Sequence, residues 1–235
     1  MAGMIEPHLP YADRAEGGRV VAEALRHHAG RDDLLVLGLP RGGVVTAEPI
    51  AEALAAPLDV LVVRKLGVPG REELAMGAIA TGGARVLHQS VIHGLGIDDD
   101  TIAVVTERER RELERRERLY RDDRPPPILE NRCAILVDDG LATGSTMRAA
   151  AAALRKHHPA RIIVAVPVAP NDTLLRLQAE VDEVVCPAVP EPFFGVGQWY
   201  RQFEQTTDEQ VRTVLARAWA RQDAEPSRFE RKRHE

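Results

Sequence analysis

Short apolar runs recur along the chain, and each ends in turn residues before a segment with helical spacing. Within a run the apolar side chains are continuous and do not alternate with polar ones. Such runs are typical of parallel strands that helices cover on both faces. The predicted strands are Asp33–Pro40, Asp59–Lys65, Cys133–Asp139, Arg161–Ala169 and Glu183–Val189. The pattern therefore predicts an α/β fold with an open, mostly parallel sheet and helices on both faces.

Helices are predicted before and between these strands. The first follows Asp13, an N-cap residue whose capping-box partner is Glu16, and extends to about Arg26. In the second, Pro49 indicates a kink or a late start. The later predicted helices, beginning with the one that contains Pro49, are Val44–Ala55, Ser145–His157 and Thr173–Glu180.

Two regions interrupt this alternation. The glycine-rich segment Leu66–Leu95 contains the short apolar stretches "AMGAIAT" and "ARVLHQ", and Gly82-Gly83 between them is typical of a β-hairpin. From about Asp99 to Arg121, Glu and Arg alternate at spacings that favour an exposed helix. This charged helix has a thin apolar stripe formed by Ile102, Val105, Leu113 and Tyr120. We interpret it as a solvated helix lying on the domain, with a homodimer contact as the alternative.

Length and composition set the broad class. A chain of 235 residues suits one large domain. We expect that domain over residues 1–222, with an inserted flexible loop or hairpin and charged helix at 66–124, and a charged tail at 223–235. Aromatic residues make up only 4% of the chain, so the core must be aliphatic. The net charge of −5 gives no support to a nucleic-acid-binding surface.

The cysteines and the hydropathy place further bounds. Cys133 and Cys186 both lie inside apolar runs, and we interpret them as packed core thiols. No apolar stretch approaches the roughly 20 residues that span a membrane, and no signal peptide is evident. We therefore expect a cytoplasmic protein.

Chemically unusual residues follow three of the predicted strands. In open parallel sheets, ligands bind beyond the carboxyl ends of the strands, so residues there can converge on one crevice. A mixture of acids and bases in that crevice suits a ligand with phosphates, hydroxyls and a divalent cation. The residues in question are Asp138 and Asp139, Arg64 and Lys65, and Pro40, Arg41, Gly42 and Gly43.

The loop after the two aspartates consists almost entirely of small residues. Ala142, Thr143, Gly144, Ser145 and Thr146 precede a predicted helix, and backbone N–H groups at such a position can cradle a phosphate. The Walker lysine and the G-x-G-x-x-G fingerprint are both missing, which disfavours a nucleoside triphosphatase and a dinucleotide enzyme.

Two adjacent ionised carboxylates need a cation, a donor-rich ligand or water. A ribose diol or Mg²⁺ would meet that need for Asp138 and Asp139. A helix cap or turn is the alternative for such a pair, but the preceding apolar strand and the following loop favour a ligand. For "LPRGG" a plain turn remains open. The functional alternative is a second anion site, in which Arg41 supplies a bidentate contact.

Together these segments resemble the type I phosphoribosyltransferase family. "ILVDDGLATGSTM" (Ile135–Met147) resembles its signature for phosphoribosyl pyrophosphate (PRPP), "LGLPRGG" its pyrophosphate loop, and "VVRKLG" the strand end with its basic pyrophosphate contacts. The segments occur in the family's order, so the resemblance covers roughly Leu34–Val189. More loosely, "PFFGVGQWYRQF" (Pro192–Phe203) resembles the hood segment of purine-type members, which gives a hood at 190–206.

The resemblance implies a role for each of these residues. Asp138 and Asp139 would hold the ribose hydroxyls, directly or through Mg²⁺, and residues 142–146 would bind the 5′-phosphate. Arg41, Gly42 and Gly43 would bind the pyrophosphate from one side, with a cis peptide at Pro40-Arg41. Arg64 and Lys65 would meet it from the other side and, with the two acids, form the catalytic set. The segment from Leu66 to Gly83 would be a mobile loop that closes over the site.

The base pocket is the least specific part of the resemblance. Phe194, Trp199 and Tyr200, together with Phe193, would stack on a planar base, or they would form a hydrophobic cap over the sheet edge. Ala142 stands where 6-oxopurine enzymes of the family keep an acid, and the loop is closer to the adenine type. This departure puts 6-oxopurine specificity in doubt.

The resemblance implies a Mg²⁺-dependent enzyme of nucleotide metabolism, for example in purine salvage. It would transfer the 5-phosphoribosyl group from PRPP to a nitrogenous base and release pyrophosphate, as a homodimer without nucleic-acid or membrane partners. The alternative is a non-catalytic regulatory protein that binds PRPP or a nucleotide. Hydrolysis of a phosphate at the same site is a third possibility.

Overall fold

The structure is a computed structural model that describes residues 8–224, except for the side chain of Glu73. This part of the chain contains eight strands and seven α-helices. The strands are β1 Leu34–Gly38, β2 Leu58–Val60, β3 Val63–Val68, β4 Arg71–Ala80, β5 Ala84–Leu87, β6 Cys133–Val137, β7 Arg161–Ala165 and β8 Glu183–Val185. The helices are α1 Arg14–Ala24, α2 Gly42–Leu54, α3 Gln89–Leu95, α4 Asp99–Arg121, α5 Ser145–Arg155, α6 Asn171–Gln178 and α7 Asp208–Ala224.

Five strands form the parallel sheet that the apolar runs predict, in the order β2-β1-β6-β7-β8. Alternate residues of β1 and β6 enter different clusters of buried side chains, one on each face of the sheet. Val36 and Ile135 are paired in register and face one cluster, whereas Leu37 and Leu136 face the other. Because both faces are covered, every position of these strands must be apolar, which explains the continuous runs.

The prediction of one strand over Asp59–Lys65 is wrong. The chain leaves the parallel sheet after β2, where the Leu61 N–H donates to the Gly38 carbonyl at 3.1 Å. It then enters a second, antiparallel sheet of order β3-β4-β5. Thr81 fixes the transition, since its N–H donates to the Val62 carbonyl at 2.9 Å and its Oγ1 accepts from the Val62 N–H at 3.0 Å. Arg64 and Lys65 therefore lie in β3 and not at the end of a parallel strand.

The glycine-rich region contains a β-hairpin. β4 and β5 are antiparallel and are joined at Thr81–Gly83, where Gly82 and Gly83 have φ of 80° and 79°. The hairpin predicted there is confirmed. The segment from Leu66 to Gly83 forms β3, β4 and their turns, so the structure gives it a defined conformation, and its closure over a ligand stays a prediction.

The first helix begins where the capping signal predicts. Asp13 Oδ1 accepts from the Glu16 N–H at 2.8 Å, and the Glu16 carboxylate accepts from the Ala12 N–H. The helix ends at Ala24, slightly earlier than predicted, and a 3₁₀ turn follows at Arg26–His28. Gly18 allows α1 to lie close to α2, because a Cβ there would come within 2.3 Å of the Thr46 carbonyl oxygen.

The charged helix is confirmed as α4. Its apolar stripe of Ile102, Val105, Leu113 and Tyr120 is buried in this same chain, and the Tyr120 hydroxyl donates to Asp208 Oδ1 at 2.6 Å. Its outer face has Glu–Arg ion pairs, including Glu107–Arg111 and Glu112–Arg116. The stripe is thus covered without a second chain, and the homodimer stays a prediction.

Two further predictions concern membrane-spanning helices and the C-terminal tail. No helix within residues 8–224 is long and apolar enough to cross a membrane. The charged tail predicted at 223–235 lies outside the described residues except for its first two positions, which complete α7.

Candidate functional site

Two carboxyl groups follow the central strand of the parallel sheet. Asp138 and Asp139 come directly after β6, and Asp138 Oδ1 accepts from the Asp139 N–H at 2.9 Å. Burial, and then the neighbouring Asp139 carboxyl, raise the pKa of Asp138 well above its ordinary value. Burial also raises the pKa of Asp139, although a hydrogen bond from Arg14 acts in the opposite direction. The protein thus holds two adjacent acids whose charged forms are disfavoured by burial, which is typical of a site completed by a ligand.

The glycine loop after β1 packs directly on these acids. A Cβ at Gly42 would lie 2.0 Å from Asp139 Oδ2, and one at Gly43 would lie 2.5 Å from the Val137 carbonyl oxygen and 2.9 Å from the Asp138 Cα. At Gly43 the obstacle is backbone, so only glycine fits there, whereas at Gly42 a side chain would have to move the Asp139 carboxylate. The Pro40-Arg41 peptide is cis, as the resemblance implies. The structure therefore brings the predicted pyrophosphate loop and the acid pair into contact.

The predicted phosphate loop leads into α5. Ala142, Thr143, Ser145 and Thr146 are exposed, whereas Gly144 is buried and has φ of 69°. The N-cap residue Gly144 has no side chain to cap α5, and the Ser145 N–H has only a long contact of 3.5 Å with Thr143 Oγ1, so the N–H groups of the first turn are available to an anion. The Thr143 and Ser145 hydroxyl oxygens lie 3.2 Å apart. Backbone and hydroxyl donors therefore converge beside the acids.

Thr173 fixes this loop from the next helix. Its hydroxyl donates to the Ala142 carbonyl at 2.7 Å, and a Cβ at Gly144 would lie 2.7 Å from the Thr173 Cγ2. The Leu141 N–H donates to the Val168 carbonyl at 3.0 Å. These contacts fix the loop without any ligand, so its shape is preorganised.

Arg64 and Lys65 do not follow a parallel strand, but their strand starts close to the same edge. β3 begins three residues after β2 ends, and Leu61 between them is bonded to the end of β1. The Arg64 guanidinium is engaged by Glu109 of α4, with Nε and Nη2 2.9 and 2.6 Å from Oε2. Arg64 thus has a structural partner that the sequence did not reveal, and its contact with pyrophosphate stays a prediction, as does that of Lys65.

The aromatic segment contacts the backbone of the acid pair. The Tyr200 hydroxyl donates to the Asp139 carbonyl at 2.5 Å, and its ring is buried against Tyr11 and Phe203. Burial, followed by the charge of Asp139, raises the pKa of Tyr200 far above its ordinary value, so the hydroxyl remains a donor. Tyr200 supports the backbone of the site and its ring has no free face for a base.

Other aromatic side chains in this segment are more accessible. Phe194 is 85% exposed, and Trp199 is half-buried with its ring stacked on Phe193 at 6.3 Å between centroids. The Phe194 and Trp199 rings are therefore open to stacking with a base. Base binding by Phe194 and Trp199 stays a prediction.

Sequence reasoning missed Arg14, the first residue of α1. Its Nε donates to Asp139 Oδ2 at 2.7 Å, and its Nη1 donates to the Glu204 carbonyl at 2.9 Å. The capping signal at Asp13 locates the start of α1. It does not reveal that the first turn of this helix reaches an acid 125 positions away.

The acid pair fits a divalent cation that prefers oxygen ligands. Within residues 8–224, Asp138 forms no ion pair, and burial followed by the neighbouring Asp139 carboxyl raises its pKa. Carboxylate oxygens are the ligands that Mg²⁺ prefers, usually together with water and substrate oxygens. Asp138 and Asp139 are therefore the residues that would hold Mg²⁺.

This arrangement defines an α/β protein with an open sheet whose candidate site lies beyond the carboxyl ends of its strands. The family model for the phosphoribosyl transferase domain matches residues 12–201. The chain belongs to the phosphoribosyl transferase domain family, as its sequence motifs indicate.

Known relatives agree with this assignment. Proteins from two strains of Mycobacterium tuberculosis, each named "Putative phosphoribosyl transferase", are 46% identical over 208 residues, covering 88% of this chain and 47% of theirs. The chain thus spans about half the length of these relatives. The crystal structure of the protein TT1426 from Thermus thermophilus has a TM-score of 0.82 at 41% identity, over 89% of this chain and 99% of that one.

Proposed function

We propose that the protein transfers the 5-phosphoribosyl group from PRPP to a nitrogenous base and releases pyrophosphate, with Mg²⁺ as cofactor. One observation carries the proposal: the glycine loop, the acid pair and the open loop before α5 meet at one edge of the sheet. PRPP has a pyrophosphate, a ribose diol and a 5′-phosphate in the same order. Family membership supports the same reaction class.

The acids would bind the sugar. Asp138 and Asp139 would accept hydrogen bonds from the ribose 2′- and 3′-hydroxyls or share Mg²⁺ with them. Either contact would offset the burial of the two carboxylates, of which Asp139 has Arg14 as a partner and Asp138 has no ion pair within residues 8–224. Mg²⁺ would supply charge neutralisation for the acids and the departing pyrophosphate. The Tyr200 hydroxyl would keep the Asp139 backbone in place while the sugar or the metal binds.

The loop before α5 would hold the 5′-phosphate. Its N–H groups and the Thr143 and Ser145 hydroxyls would donate to the phosphate oxygens, and the helix dipole would favour the negative charge. With both ends of the donor fixed, the ribose C1 would be oriented toward the base.

The glycine loop would bind the leaving group. In the transfer, a base nitrogen forms a bond to ribose C1 while the C1–O bond breaks, and pyrophosphate departs with the electron pair. Arg41 and the N–H groups of Gly42 and Gly43 would stabilise the charge that develops there, and Lys65 would approach from β3. Arg64 would contribute mainly by fixing β3 to α4 through Glu109.

The proposal names the acceptor only as a nitrogenous base, and the residues of the site suggest which bases to test first. Ala142 has no acid to exchange a proton with a 6-oxopurine, so bases that do not need this exchange are the first to test. Phe194 and Trp199 are accessible and would stack on the base. Homodimer formation is a further proposal, to be measured by light scattering on the full chain.

The activity is tested by pyrophosphate release from PRPP with a panel of purines, pyrimidines and nicotinate-like acids. We expect Mg²⁺-dependent release with at least one base, and a decrease in kcat/KM of about 100-fold or more in Asp138→Asn, because this change removes a charged contact to the sugar or metal. Asp32→Asn is the matched control, since Asp32 is an exposed acid before β1 at the opposite edge of the sheet. It should leave the rate unchanged.

The outcomes separate an enzyme from a binding protein. If none of the bases in the panel gave pyrophosphate release, and if the protein bound PRPP in a way that Asp138→Asn abolishes, the transferase proposal would be overturned. The regulatory alternative would then be favoured. In the enzyme, Lys65→Ala should lower kcat more than it weakens PRPP binding, because the leaving-group charge is largest in the transition state. Equal losses in kcat and in PRPP affinity would argue against this role of Lys65.

A further inference from the structure

Two imidazoles and a carboxylate meet at the start of β8, the edge strand of the parallel sheet, away from the acid pair. His27 and His28 form the 3₁₀ turn after α1, and Glu183 is the first residue of β8. One nitrogen from each ring and one carboxylate oxygen all lie within 4.8 Å of one another. None of these residues has a part in the proposed transfer.

The distances fit a tetrahedral transition metal. His27 Nε2 lies 3.0 Å from Glu183 Oε1, and His28 Nε2 lies 3.1 Å from Oε2. In a tetrahedral zinc site with bonds of about 2.0–2.2 Å, neighbouring ligand atoms are about 3.3–3.5 Å apart. A small outward shift of these side chains would therefore leave the correct space for the ion.

The other ring nitrogen of His27 has the contact that metal-binding imidazoles usually make. Its Nδ1 lies 3.1 Å from the Ala24 carbonyl oxygen, to which it must donate. If the ring is neutral, Nε2 then presents its lone pair to the Glu183 carboxylate, so a second proton or a metal cation must lie between them. Metal-ligating histidines typically donate the second N–H to a carbonyl group in this manner.

The surroundings allow a cation to enter. The His27 side chain is 57% exposed, while that of His28 is 7% exposed, so one ligand opens to solvent and the other is held in place. Arg161 also contacts Glu183, with Nη2 3.0 Å from Oε2. Its side chain is 41% exposed and can remain on the outer side of the carboxylate or turn to solvent. The positive charge of Arg161 is the main factor that opposes binding.

We propose that His27, His28 and Glu183 bind one Zn²⁺ ion, with water as the fourth ligand. Mixed imidazole and carboxylate ligands favour zinc over Mg²⁺, which prefers oxygen alone. The site is separate from the acid pair: through β7, Glu183 is level with Ile135, which is three residues (about 10 Å) before Asp138, and two strand spacings of about 4.8 Å lie between them. The ion would join the end of α1 to the edge strand β8 and so stabilise the fold.

Cobalt provides the direct test, since tetrahedral Co²⁺ absorbs visible light much more strongly than octahedral Co²⁺. The untagged full chain, stripped with a chelator, is titrated with Co²⁺ and then with Zn²⁺. We expect strong bands that saturate at one Co²⁺ per chain and disappear on addition of Zn²⁺, but not of millimolar Mg²⁺. Zn²⁺ should also raise the Tm, and this rise should diminish in acid as protons compete for the imidazoles.

Variants assign the ligands. His27→Ala removes an exposed side chain and should fold normally, and it should weaken Zn²⁺ binding at least tenfold and abolish the Tm rise. Glu183→Gln should weaken binding similarly. His158→Asn is the control, because His157 and His158 form another adjacent pair, and the asparagine tolerates the φ of 52° at position 158. It should leave binding unchanged. Weak octahedral bands, or Zn²⁺ affinity unaltered in His27→Ala, would overturn the proposal.

Discussion

Arg14 Nε donates to Asp139 Oδ2 across 2.7 Å, with only 12% and 16% of the two side chains exposed. The same guanidinium lies over the Phe203 ring at 4.0 Å and donates to the Glu204 carbonyl. One side chain thus connects α1, the acid pair and the segment after the aromatic cluster. Asp139 has a cationic partner from its own chain, whereas Asp138 has none within residues 8–224.

Removing this partner should destabilise the protein. In Arg14→Ala the Asp139 carboxyl would be buried without its charged donor, so we expect a loss of about 1–3 kcal/mol in the free energy of unfolding. Urea unfolding at pH 7 measures it. Arg26→Ala is the matched control, because Arg26 and Glu23 form a pair with 74% and 45% exposure and should contribute little. Equal effects of the two substitutions would contradict the structural role of Arg14.

The raised pKa of Asp138 predicts a specific pH dependence. Between the ordinary aspartate value of about 3.9 and the raised folded value, the folded protein keeps a proton that the unfolded chain has lost. Stability then falls as pH rises through this interval. Asp138→Asn cannot ionise and still accepts from the Asp139 N–H, so it should be more stable than the parent at pH 7.

We expect this gain to be on the order of 1–3 kcal/mol and to shrink as the pH approaches 4. Urea unfolding of both proteins from pH 4 to pH 8 measures the difference. PRPP with Mg²⁺ should stabilise the parent and not the variant, because the ligand supplies the missing compensation. A difference that is constant over the whole pH range would contradict the burial of an uncompensated acid at position 138.

The local sequence pattern predicted the parallel sheet because a strand that is buried on both faces has an apolar residue at every position. The same information could not divide "DVLVVRK" into β2 and β3. Both strands are apolar at this point, and the division depends on Thr81, which bonds to Val62 from 19 positions away. Pairing over such a separation is a tertiary effect that no local spacing encodes.

The site was predictable to a similar extent. Asp138, Asp139 and Gly42 lie in contiguous motifs, and the order of those motifs sufficed to bring them together. Arg14 and Glu109 could not be found in this way, since each reaches the site or its basic strand from a helix outside the motifs. An arginine among 31 basic residues carries no local signal of its partner.

The ion pair between Arg64 and Glu109 should stabilise the folded protein by joining β3 to α4. The Glu109 side chain is only 9% exposed, so Arg64→Ala would leave it with Arg108 alone, whose own side chain is 65% exposed. We expect Arg64→Ala to cost about 1–3 kcal/mol, and Arg64→Ala with Glu109→Ala to cost less than the sum of the single changes. A double-mutant cycle of unfolding free energies measures the coupling.

The exposed pair Arg176–Asp172 on α6 provides the comparison cycle and should give a coupling below about 0.5 kcal/mol. Additive losses at Arg64 and Glu109 would show that their pair is dispensable. The guanidinium of Arg64 would then be available to the pyrophosphate, as the sequence motif alone implies.

The two glycines of the loop should separate stability from ligand binding. At Gly43 an added Cβ would meet backbone, 2.5 Å from the Val137 carbonyl oxygen, so Gly43→Ala must move a strand end and should cost about 1–3 kcal/mol or more. At Gly42 the obstacle is the Asp139 carboxylate, which can rotate away from Arg14. Gly42→Ala should therefore cost less stability and weaken PRPP binding more, by about tenfold or more, as the acid leaves its position.

Gly94 is the matched control for both changes. It lies in α3 with no atom within 4 Å of an added Cβ, so Gly94→Ala should be neutral or stabilise by up to about 1 kcal/mol. Urea unfolding and calorimetric titration with PRPP and Mg²⁺ on the three variants measure both quantities. If Gly42→Ala bound PRPP as tightly as Gly94→Ala, the position of the Asp139 carboxylate against the glycine loop would have no part in holding the ligand, and the assignment of this loop and this acid to one site would be wrong.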